Sequence, residues 1–387
     1  MGTNNLVELT RLGQSIWYDN IERKLITSGD LERMRDEDDL RGVTSNPAIF
    51  EKAISGSDDY LDQLREMAGQ NRSANDIYEA LAIRDIQMAT DVLAPVYDRT
   101  EGADGFVSLE CSPLLANVTQ GTIEEARRLW STVDRKNVMI KIPGTPEGMP
   151  AIEQCIYEGI NINITLLFSL DSYKATIEAY LRGLERRSAE GKPVDRVASV
   201  ASFFVSRIDT AVDKRLEEKF AVAGSDEEKS RLREMEGRIA IANAKMAYQI
   251  FKEVFHGERF TALKAQGARA QRPLWASTST KNPDYSDVYY VEALIGPETV
   301  NTLPPDTLKA FRDHGNVRIA IEDNLDEERR LLAQLEEVGI SLDEVTQQVL
   351  EEGVTKFSEP FEKLLATIKA RRDEILSREQ ASGMATD

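Results

Sequence analysis

Short apolar runs alternate with long amphipathic segments along the whole chain, a pattern that predicts an α/β fold. Eight of these runs are predicted strands, because they are short and rich in β-branched and aromatic residues. The predicted strands cover residues 15–19, 42–45, 105–111, 138–142, 160–167, 198–204, 274–277 and 290–295. Eight strands separated by helical segments are typical of a closed (β/α)8 barrel of the TIM type. No glycine-rich dinucleotide fingerprint follows the first strand, which disfavours a doubly wound sheet.

The segments between the strands are uneven in length. Residues 47–104 and 208–270 are predicted helical insertions, and the second contains a long helical pattern over residues 227–255. The C-terminal extension is predicted to hold three helices, at residues 304–314, 323–338 and 341–378. Because the chain shows neither an internal repeat nor a linker rich in Pro, Gly or Ser, residues 1–378 are predicted to form one domain. Residues 379–387 are predicted to be a flexible tail.

The composition allows a large core and narrows the classes of partner. Hydrophobic residues make up 41% of the 387 residues, and the net charge is −19. So acidic a chain disfavours binding to nucleic acid or to an anionic membrane, and an anionic substrate then requires a locally positive pocket. Cys111 and Cys155 give no disulfide framework, and two histidines exclude a histidine-rich metal site. With no basic and apolar leader and no apolar run of about 20 residues, a cytoplasmic protein is expected.

Lys141 is the most informative polar residue, because it interrupts the apolar run at residues 138–142. Strands that are buried on both faces of an α/β fold normally exclude lysine. An ammonium group there loses hydration, which favours the neutral amine, a nucleophile that adds to carbonyl groups. One interpretation is a Schiff-base lysine. The alternative is a lysine that reaches solvent at the strand end or pairs with a carboxylate.

Most of the predicted strands carry polar side chains at or just beyond their carboxyl ends. In a β/α barrel these ends form the active site. The residues concerned are Asp19, Asn46, Glu110, Asn163, Thr165, Ser202, Arg207, Ser277, Ser279 and Lys281. A buried carboxylate such as Glu110 also costs free energy unless it is paired or hydrogen-bonded. The pattern therefore predicts a polar cavity around Lys141.

These side chains suit carbonyl chemistry through an iminium on Lys141. Forming the iminium needs proton transfer, and breaking the adjacent C–C bond needs a base at the β-hydroxyl. Glu110 and Asp19 can divide these two roles. Amide and hydroxyl groups can hold the hydroxyls of a sugar, and the candidates are Asn46, Asn163 and Ser202. Arg207 and Lys281 can supply positive charge for a phosphate.

Several of these segments together resemble the transaldolase family. They are TSNP at 44–47, VMIKIP at 138–143, NITLLFS at 163–169 and ASFFVSRID at 201–209. The run LWASTSTKNP at 274–283 and the length of the chain are most similar to the longer bacterial branch. The resemblance covers most of residues 10–370 in order.

The resemblance implies a fold and a reaction. The family has a β/α barrel of the Schiff-base (class I) aldolase kind. It transfers a dihydroxyacetone unit from sedoheptulose 7-phosphate to glyceraldehyde 3-phosphate, giving erythrose 4-phosphate and fructose 6-phosphate. This reaction belongs to the non-oxidative pentose phosphate pathway in the cytoplasm and uses neither a metal nor an organic cofactor. The expected partners are therefore small sugar phosphates, and the chain is expected to be a monomer or a homodimer.

The resemblance also implies roles for individual residues. Lys141 forms the Schiff base, and Asp19 is the acid/base at the hydroxyl whose deprotonation breaks the C–C bond. Glu110 acts with Thr165 through a catalytic water. The remaining roles are substrate contacts: Asn46, Asn163 and Ser202 hold the dihydroxyacetone hydroxyls, Phe204 forms a wall, and Arg207 binds the phosphate.

The phosphate site departs from the pattern of many shorter family members, which carry a second arginine soon after the seventh strand. Here the stretch after Ser277 continues Thr278-Ser279-Thr280-Lys281. The second positive charge is therefore assigned to Lys281, with Ser277 and Ser279 as hydroxyl donors. A lysine is a point charge and not a bidentate fork, so the phosphate is held differently.

Three functional hypotheses follow. The first is a transferase that keeps the dihydroxyacetone unit bound until an aldose acceptor arrives. The second is a fructose-6-phosphate aldolase-like lyase that releases dihydroxyacetone to water, and the third is a non-catalytic barrel that binds sugar phosphates. We further hypothesise that the last predicted helix, residues 341–378, covers the barrel mouth and shields the intermediate from water.

Overall fold

The fold is a closed barrel of eight parallel strands in chain order. This computed structural model describes residues 4–70 and 72–383. The strands are β1 (Gln14–Tyr18), β2 (Gly42–Val43), β3 (Phe106–Glu110), β4 (Val138–Pro143), β5 (Ile162–Leu167), β6 (Ser199–Phe204), β7 (Arg272–Ala276) and β8 (Thr299–Leu303). Pairing of β8 with β1 closes the ring. The predicted (β/α)8 barrel is confirmed.

Helices connect the strands and surround the barrel. The first group is α1 (Asn5–Arg11), α2 (Arg23–Thr27), α3 (Asp30–Glu37), α4 (Pro47–Gly56), α5 (Leu61–Gly69), α6 (Ala74–Arg99), α7 (Thr119–Val133), α8 (Gly148–Glu158) and α9 (Leu170–Ala189). The second is α10 (Ser206–Val222), α11 (Asp226–Met235), α12 (Ile239–Phe255), α13 (Glu258–Lys264), α14 (Tyr289–Ala293), α15 (Pro305–His314), α16 (Leu325–Glu337) and α17 (Leu342–Gly383). Within the residues that the structure describes, no helix is long and apolar enough to cross a membrane.

The eighth strand was predicted wrongly. The run at 290–295 lies largely in the short helix α14, which buries Tyr290 and Val291, and the true strand β8 follows it. The strand was missed because it carries polar side chains, whereas strands of a parallel barrel are normally apolar. Two of these side chains accept hydrogen bonds from residues outside the strand: Thr299 accepts one from Gln14, and the side-chain oxygen of Asn301 accepts one from Thr278. The periodic pattern of the sequence does not reveal such contacts between distant residues.

The long helical pattern over residues 227–255 is interrupted. The structure divides it into α11 and α12, with Gly237 between them at a φ of +70°. A Cβ at this position would lie 2.6 Å from the ring of Tyr285, so the turn requires glycine for both its conformation and its contact. Residues 47–104, predicted as an insertion, hold α4, α5 and α6.

Helix α17 packs across the carboxyl end of the barrel. Phe357 and Phe361 on this helix are buried, and the ring of Phe361 meets Tyr78 edge-on at 5.4 Å. Arg371 donates hydrogen bonds of 3.0 and 2.9 Å to the carbonyl groups of Ile54 and Ser55, which ties α17 to α4. The helix backbone continues to Gly383, so the predicted tail at 379–387 overlaps it, and residues 384–387 lie outside the described residues.

Candidate active site

A cavity of about 190 Å³ lies at the carboxyl ends of the strands. Most of the residues predicted from the sequence line it: Asp19, Asn46, Lys141, Thr165, Ser202, Phe204, Arg207, Ser277, Ser279 and Lys281. The other two, Glu110 and Asn163, are buried directly against residues of this lining. The fold therefore brings together the side chains that the sequence placed at separate strand ends.

Lys141 occupies the floor of the cavity. Its side chain is only 6% exposed, and its Nζ lies 3.1 Å from Oε2 of Glu110, a side chain that is 3% exposed. The same Nζ donates a hydrogen bond of 3.0 Å to the backbone carbonyl of Ser45. The ring centroid of Phe357, on α17, lies 5.7 Å from the Nζ. The amine is thus held between a carboxylate, a carbonyl and an aromatic face, and it does not reach bulk solvent.

Strand register explains why these groups meet. Glu110 on β3 is paired with Lys141 on β4, and Lys141 is paired with Asn163 on β5. Thr165 follows two residues later on β5, and side chains two residues apart on a strand lie on the same face. A carboxylate, an amine, an amide and a hydroxyl therefore project into one end of the barrel from three adjacent strands.

Glu110 is suited to act as a proton donor next to Lys141. Burial raises the pKa of its carboxyl, and the adjacent Lys141 only partly opposes that shift. The hydroxyl of Thr165 is buried and has no hydrogen-bond partner among the described residues. A buried hydroxyl without a protein partner is available to bind a substrate atom or a water molecule.

Asp19 is the second carboxylate of the cavity, and its surroundings differ from those of Glu110. Burial raises its pKa, whereas a hydrogen bond from Thr44 and the positive charges of Lys141, Arg207 and Lys281 act in the opposite direction. The Thr44 hydroxyl donates to Asp19 Oδ1 at 2.7 Å. Two carboxylates in such different environments can take different proton-transfer roles.

Two cations form the far side of the cavity. The Arg207 guanidinium, at the start of α10, lies 5.3 Å from the ring centroid of Phe204. Burial lowers the pKa of both Arg207 and Lys281, and the charge of Arg207 lowers the pKa of Lys281 further. Lys281 donates a hydrogen bond of 2.7 Å to Ser279. Two mutually repelling cations, together with the positive end of a helix dipole, favour a bound dianion such as phosphate.

The loop that carries Lys281 and the helix α14 that follows it are joined to α10 by two carboxylates, of which Asp209 is buried and Asp213 is half-buried. Tyr285 donates to Asp213 at 3.1 Å, and Tyr290 donates to Asp209 at 2.9 Å. Burial raises the pKa of Asp209 to about 7 and that of Asp213 to about 6. Because Arg207 lies in the first turn of the same helix, these contacts connect the loop of Lys281 to the helix that carries Arg207.

The amide groups have distinct positions. Asn163 donates to the hydroxyl of Ser108 at 3.0 Å and accepts from Ser202 at 2.7 Å, so it supports Ser202 from below the cavity lining. The side-chain oxygen of Asn46 caps the N-terminus of α4 by accepting from the Ile49 N–H at 3.0 Å. This leaves the Asn46 amide nitrogen as a donor toward the cavity.

The sequence did not single out every residue of the lining. Those that were missed are Thr44, Ala276, Thr302, Pro304 and Phe357. Thr44 lies in a quoted motif and could have been proposed from it. Phe357 could not, because its part of the sequence predicts only an amphipathic helix, and its place over the barrel depends on how α17 packs. Within residues 4–70 and 72–383, no group of three His, Cys, Asp or Glu residues could hold a metal ion.

A family model and individual relatives with known names both match this chain over nearly its whole length. A model of the family described as transaldolase/fructose-6-phosphate aldolase matches residues 16–368. A transaldolase from Trichodesmium erythraeum is 48% identical over 96% of this chain and 98% of its own length. One from Thiobacillus denitrificans is 48% identical over 93% and 98%, and one from Saccharopolyspora erythraea is 46% identical over 97% and 100%.

Proposed function

The chain belongs to the transaldolase/fructose-6-phosphate aldolase family and has the activity of a transaldolase, and we propose that Lys141 forms its Schiff base. The observation that carries this proposal is the buried contact between Lys141 and Glu110 at the cavity floor. Lys245 and Glu328 form an equally buried pair, but only Lys141 lines the cavity at the carboxyl ends of the strands, where a substrate carbonyl can reach its amine. The reaction transfers a dihydroxyacetone unit from sedoheptulose 7-phosphate to glyceraldehyde 3-phosphate, as in the family generally.

The first half of the reaction uses Lys141 and Glu110. The Lys141 ammonium first gives a proton to Glu110, and the resulting neutral amine adds to the C2 carbonyl of the donor, forming a carbinolamine. Glu110 delivers a proton to the carbinolamine oxygen, which leaves as water, and an iminium remains. The raised pKa of Glu110 keeps that proton available at a higher pH than an exposed glutamate does. We assign Thr165 to hold the departing water, because its hydroxyl is buried and has no partner among the described side chains.

The second half uses Asp19. Its carboxylate takes the proton from the C4 hydroxyl, the C3–C4 bond breaks, and the electron pair moves into the iminium to give an enamine. Erythrose 4-phosphate leaves, and the enamine attacks the aldehyde carbon of glyceraldehyde 3-phosphate. Asp19 returns its proton to the new hydroxyl, and water releases fructose 6-phosphate from Lys141 with Glu110 as base. Asn46 and Ser202 hold the hydroxyls of the three-carbon unit while the aldehydes exchange.

Retention of the three-carbon unit distinguishes a transferase from a lyase. Phe357 supplies an apolar wall beside the reacting amine and Phe204 lines the same cavity, which limits the access of water to the enamine. This supports transfer over release of dihydroxyacetone to water. We further propose a cytoplasmic location, which is supported by two free, buried cysteines. The choice between monomer and homodimer remains a prediction.

Borohydride trapping tests the proposal. The protein is incubated with fructose 6-phosphate, reduced, digested, and the modified peptide is identified by mass. We expect a reduced three-carbon adduct on Lys141. Free dihydroxyacetone should accumulate only in long incubations without an acceptor aldose. An adduct on another lysine, or none, would reject the assignment and revive the non-catalytic binding hypothesis. Rapid release of dihydroxyacetone in the presence of acceptor would instead favour the lyase.

The phosphate assignment gives a separate prediction. Replacing Lys281 with methionine is expected to raise KM for fructose 6-phosphate about tenfold, and Arg207→Met about 10- to 100-fold, because hydrogen bonds to charged groups contribute more than neutral ones. Steady-state kinetics with fructose 6-phosphate and with unphosphorylated fructose measure the difference. The fructose KM should stay unchanged, because that substrate has no phosphate to lose.

A lysine outside the cavity provides the control. Lys174 is exposed and pairs with Asp171 at 3.1 Å, so Lys174→Met removes one positive charge without touching the site. It should leave both KM values unchanged. Equal effects of Lys281→Met on the two substrates would show that Lys281 does not bind the phosphate.

A further inference from the structure

Two threonine hydroxyls form a chain that ends at Asp19. Thr44 donates to Asp19 Oδ1 at 2.7 Å, and the hydroxyl oxygens of Thr44 and Thr302 lie 2.6 Å apart. Both threonines line the cavity. No step of the transfer reaction described above uses either of them.

The direction of this chain follows from counting hydrogens. A threonine hydroxyl carries one proton and can donate one hydrogen bond. Because Thr44 donates to the carboxylate, it accepts in its contact with Thr302, so Thr302 is the donor there. Two hydrogen bonds thus point in the same direction, from Thr302 to Thr44 to Asp19. Each polarises the next, which strengthens the bond that reaches the carboxylate.

The barrel fixes all three residues through its backbone. Thr44 N–H donates to the carbonyl of Tyr18 at 2.9 Å, and Asp19 N–H donates to the carbonyl of Leu303 at 2.9 Å. These bonds extend the ladders that join β1 to β2 and to β8. In an eight-stranded barrel the inward side chains of alternate strands share a layer. Thr44 follows β2 and Thr302 lies in β8, which accounts for their meeting beside Asp19, the residue that follows the strand between them.

We propose that Thr44 and Thr302 are positioning residues that hold Oδ1 of Asp19, so that Oδ2 is presented to the substrate hydroxyl. No hydrogen bond from another described residue reaches Oδ2, which leaves it as the proton acceptor. Positioning of this kind places the base in the reactive geometry before the substrate arrives. The inference rests on the proposed function, because it assigns to Asp19 the proton transfer that breaks the C–C bond.

The charged surroundings of Asp19 determine what the loss of Thr44 should do. Burial raises the pKa of Asp19, whereas Lys141, Arg207 and Lys281 stabilise its carboxylate, and the charge of Asp19 raises the pKa of the nearby Glu110. The Thr44 hydrogen bond acts in the same direction as the cations, lowering the pKa of Asp19. Removing that donor therefore raises the pKa of Asp19, and the acid limb of the kcat profile should move to higher pH.

The experiment compares conservative and non-conservative replacements. Thr44→Val is expected to lower kcat about 10- to 100-fold with little change in KM, since a charge-assisted hydrogen bond is lost at the reacting group. Thr302→Val, which acts through Thr44, should lower kcat about three- to tenfold. Thr44→Ser keeps the donor and should restore kcat to within about threefold of the parent. The shift of the acid limb should appear in Thr44→Val and be absent in Thr44→Ser.

Thr299 supplies the matched control. It lies on the same strand as Thr302 but near its other end, is fully buried, and donates to the carbonyl of Gly296 at 2.6 Å. Thr299→Val should lower stability without moving the pH profile of the folded protein. The proposal is overturned if Thr44→Val leaves kcat and its pH profile unchanged, or if Thr44→Ser loses as much as Thr44→Val. If Asp19→Asn retained turnover, the proposed role of Asp19 itself would have failed, which is a different outcome.

Discussion

Replacement of Lys141 by methionine is expected to lower turnover about 10⁴-fold or more and to abolish trapping by borohydride. Methionine fills a volume similar to that of the lysine stem but has no amine, so no iminium can form. The residual rate should match that of the uncatalysed reaction, because the variant folds but cannot form the iminium. Transfer assays with fructose 6-phosphate and erythrose 4-phosphate, followed by mass analysis of the reduced protein, measure both effects.

The replacement also leaves Glu110 buried without its cation. Removing one partner of a buried ion pair typically costs about 3–5 kcal/mol of stability. The chain contains a matched pair elsewhere, because Lys245 and Glu328 are equally buried and lie 2.8 Å apart between α12 and α16. Lys245→Met should therefore lose a similar amount of stability and keep its activity. If Lys245→Met were equally inactive, loss of the fold rather than of the amine would explain the result.

The stability of Lys141→Met should also depend on pH. The folded-state pKa of Glu110 is raised by burial, and it rises further without Lys141. A carboxyl whose pKa is raised in the folded state destabilises that state when it is ionised. This loss of stability is absent at a pH below the unfolded-state pKa and complete at a pH above the folded-state pKa. The deficit in free energy of unfolding should consequently shrink as the pH falls. Denaturant unfolding of parent and variant at several pH values measures this difference.

Replacement of Asp19 by asparagine is expected to lower kcat about 10²- to 10⁴-fold and yet leave the Schiff base intact. Lys141 and Glu110 are both retained, so the iminium still forms. Without the carboxylate, the proton on the C4 hydroxyl cannot be removed and the C–C bond persists. The reduced adduct should then carry the whole six-carbon sugar phosphate, whereas the parent protein yields the three-carbon unit. Mass spectrometry of the same peptide separates the two adducts directly.

A second buried aspartate controls for the loss of a carboxylate. Asp85 is fully buried, pairs with Arg23 and accepts from Tyr60 at 2.8 Å, and burial raises its pKa as it does that of Asp19. Asp85→Asn should trap the three-carbon adduct as the parent does, even if it unfolds more easily. A three-carbon adduct on Asp19→Asn would contradict the assignment of the C–C bond cleavage to Asp19.

Much of the barrel and its site could be predicted from the sequence, because the decisive signals are local. Seven strands were located, since each is a short apolar run between amphipathic segments. Lys141 and Glu110 stood out because charged residues in such runs are rare. Their contact then followed from the fold, since neighbouring strands in a parallel barrel align their carboxyl ends.

What could not be predicted depends on contacts between distant parts of the chain. The polar residues of β8 make their contacts with other parts of the chain, such as the hydrogen bonds from Gln14 to Thr299 and from Thr278 to Asn301. At the break in the long helical pattern, Gly237 lies against the ring of Tyr285, a residue about 50 positions later in the chain. The chain from Thr302 through Thr44 to Asp19 joins residues more than 250 positions apart. Thr44 lies in the TSNP motif, but nothing in the sequence pairs it with Thr302, whose pattern is that of an ordinary strand residue. These features require the three-dimensional structure.

The position of Phe357 has a consequence for how the protein is made. During synthesis, β8 ends at Leu303, so all eight strands have left the ribosome before the residue that completes the cavity wall is added. The barrel can close first, because strands and their helices fold as they emerge. Until α17 docks, the nascent chain carries its amine in a site without a cover. A chain interrupted between Leu303 and Phe357 would keep every polar group of the site and expose it to any aldehyde or ketone in the cell.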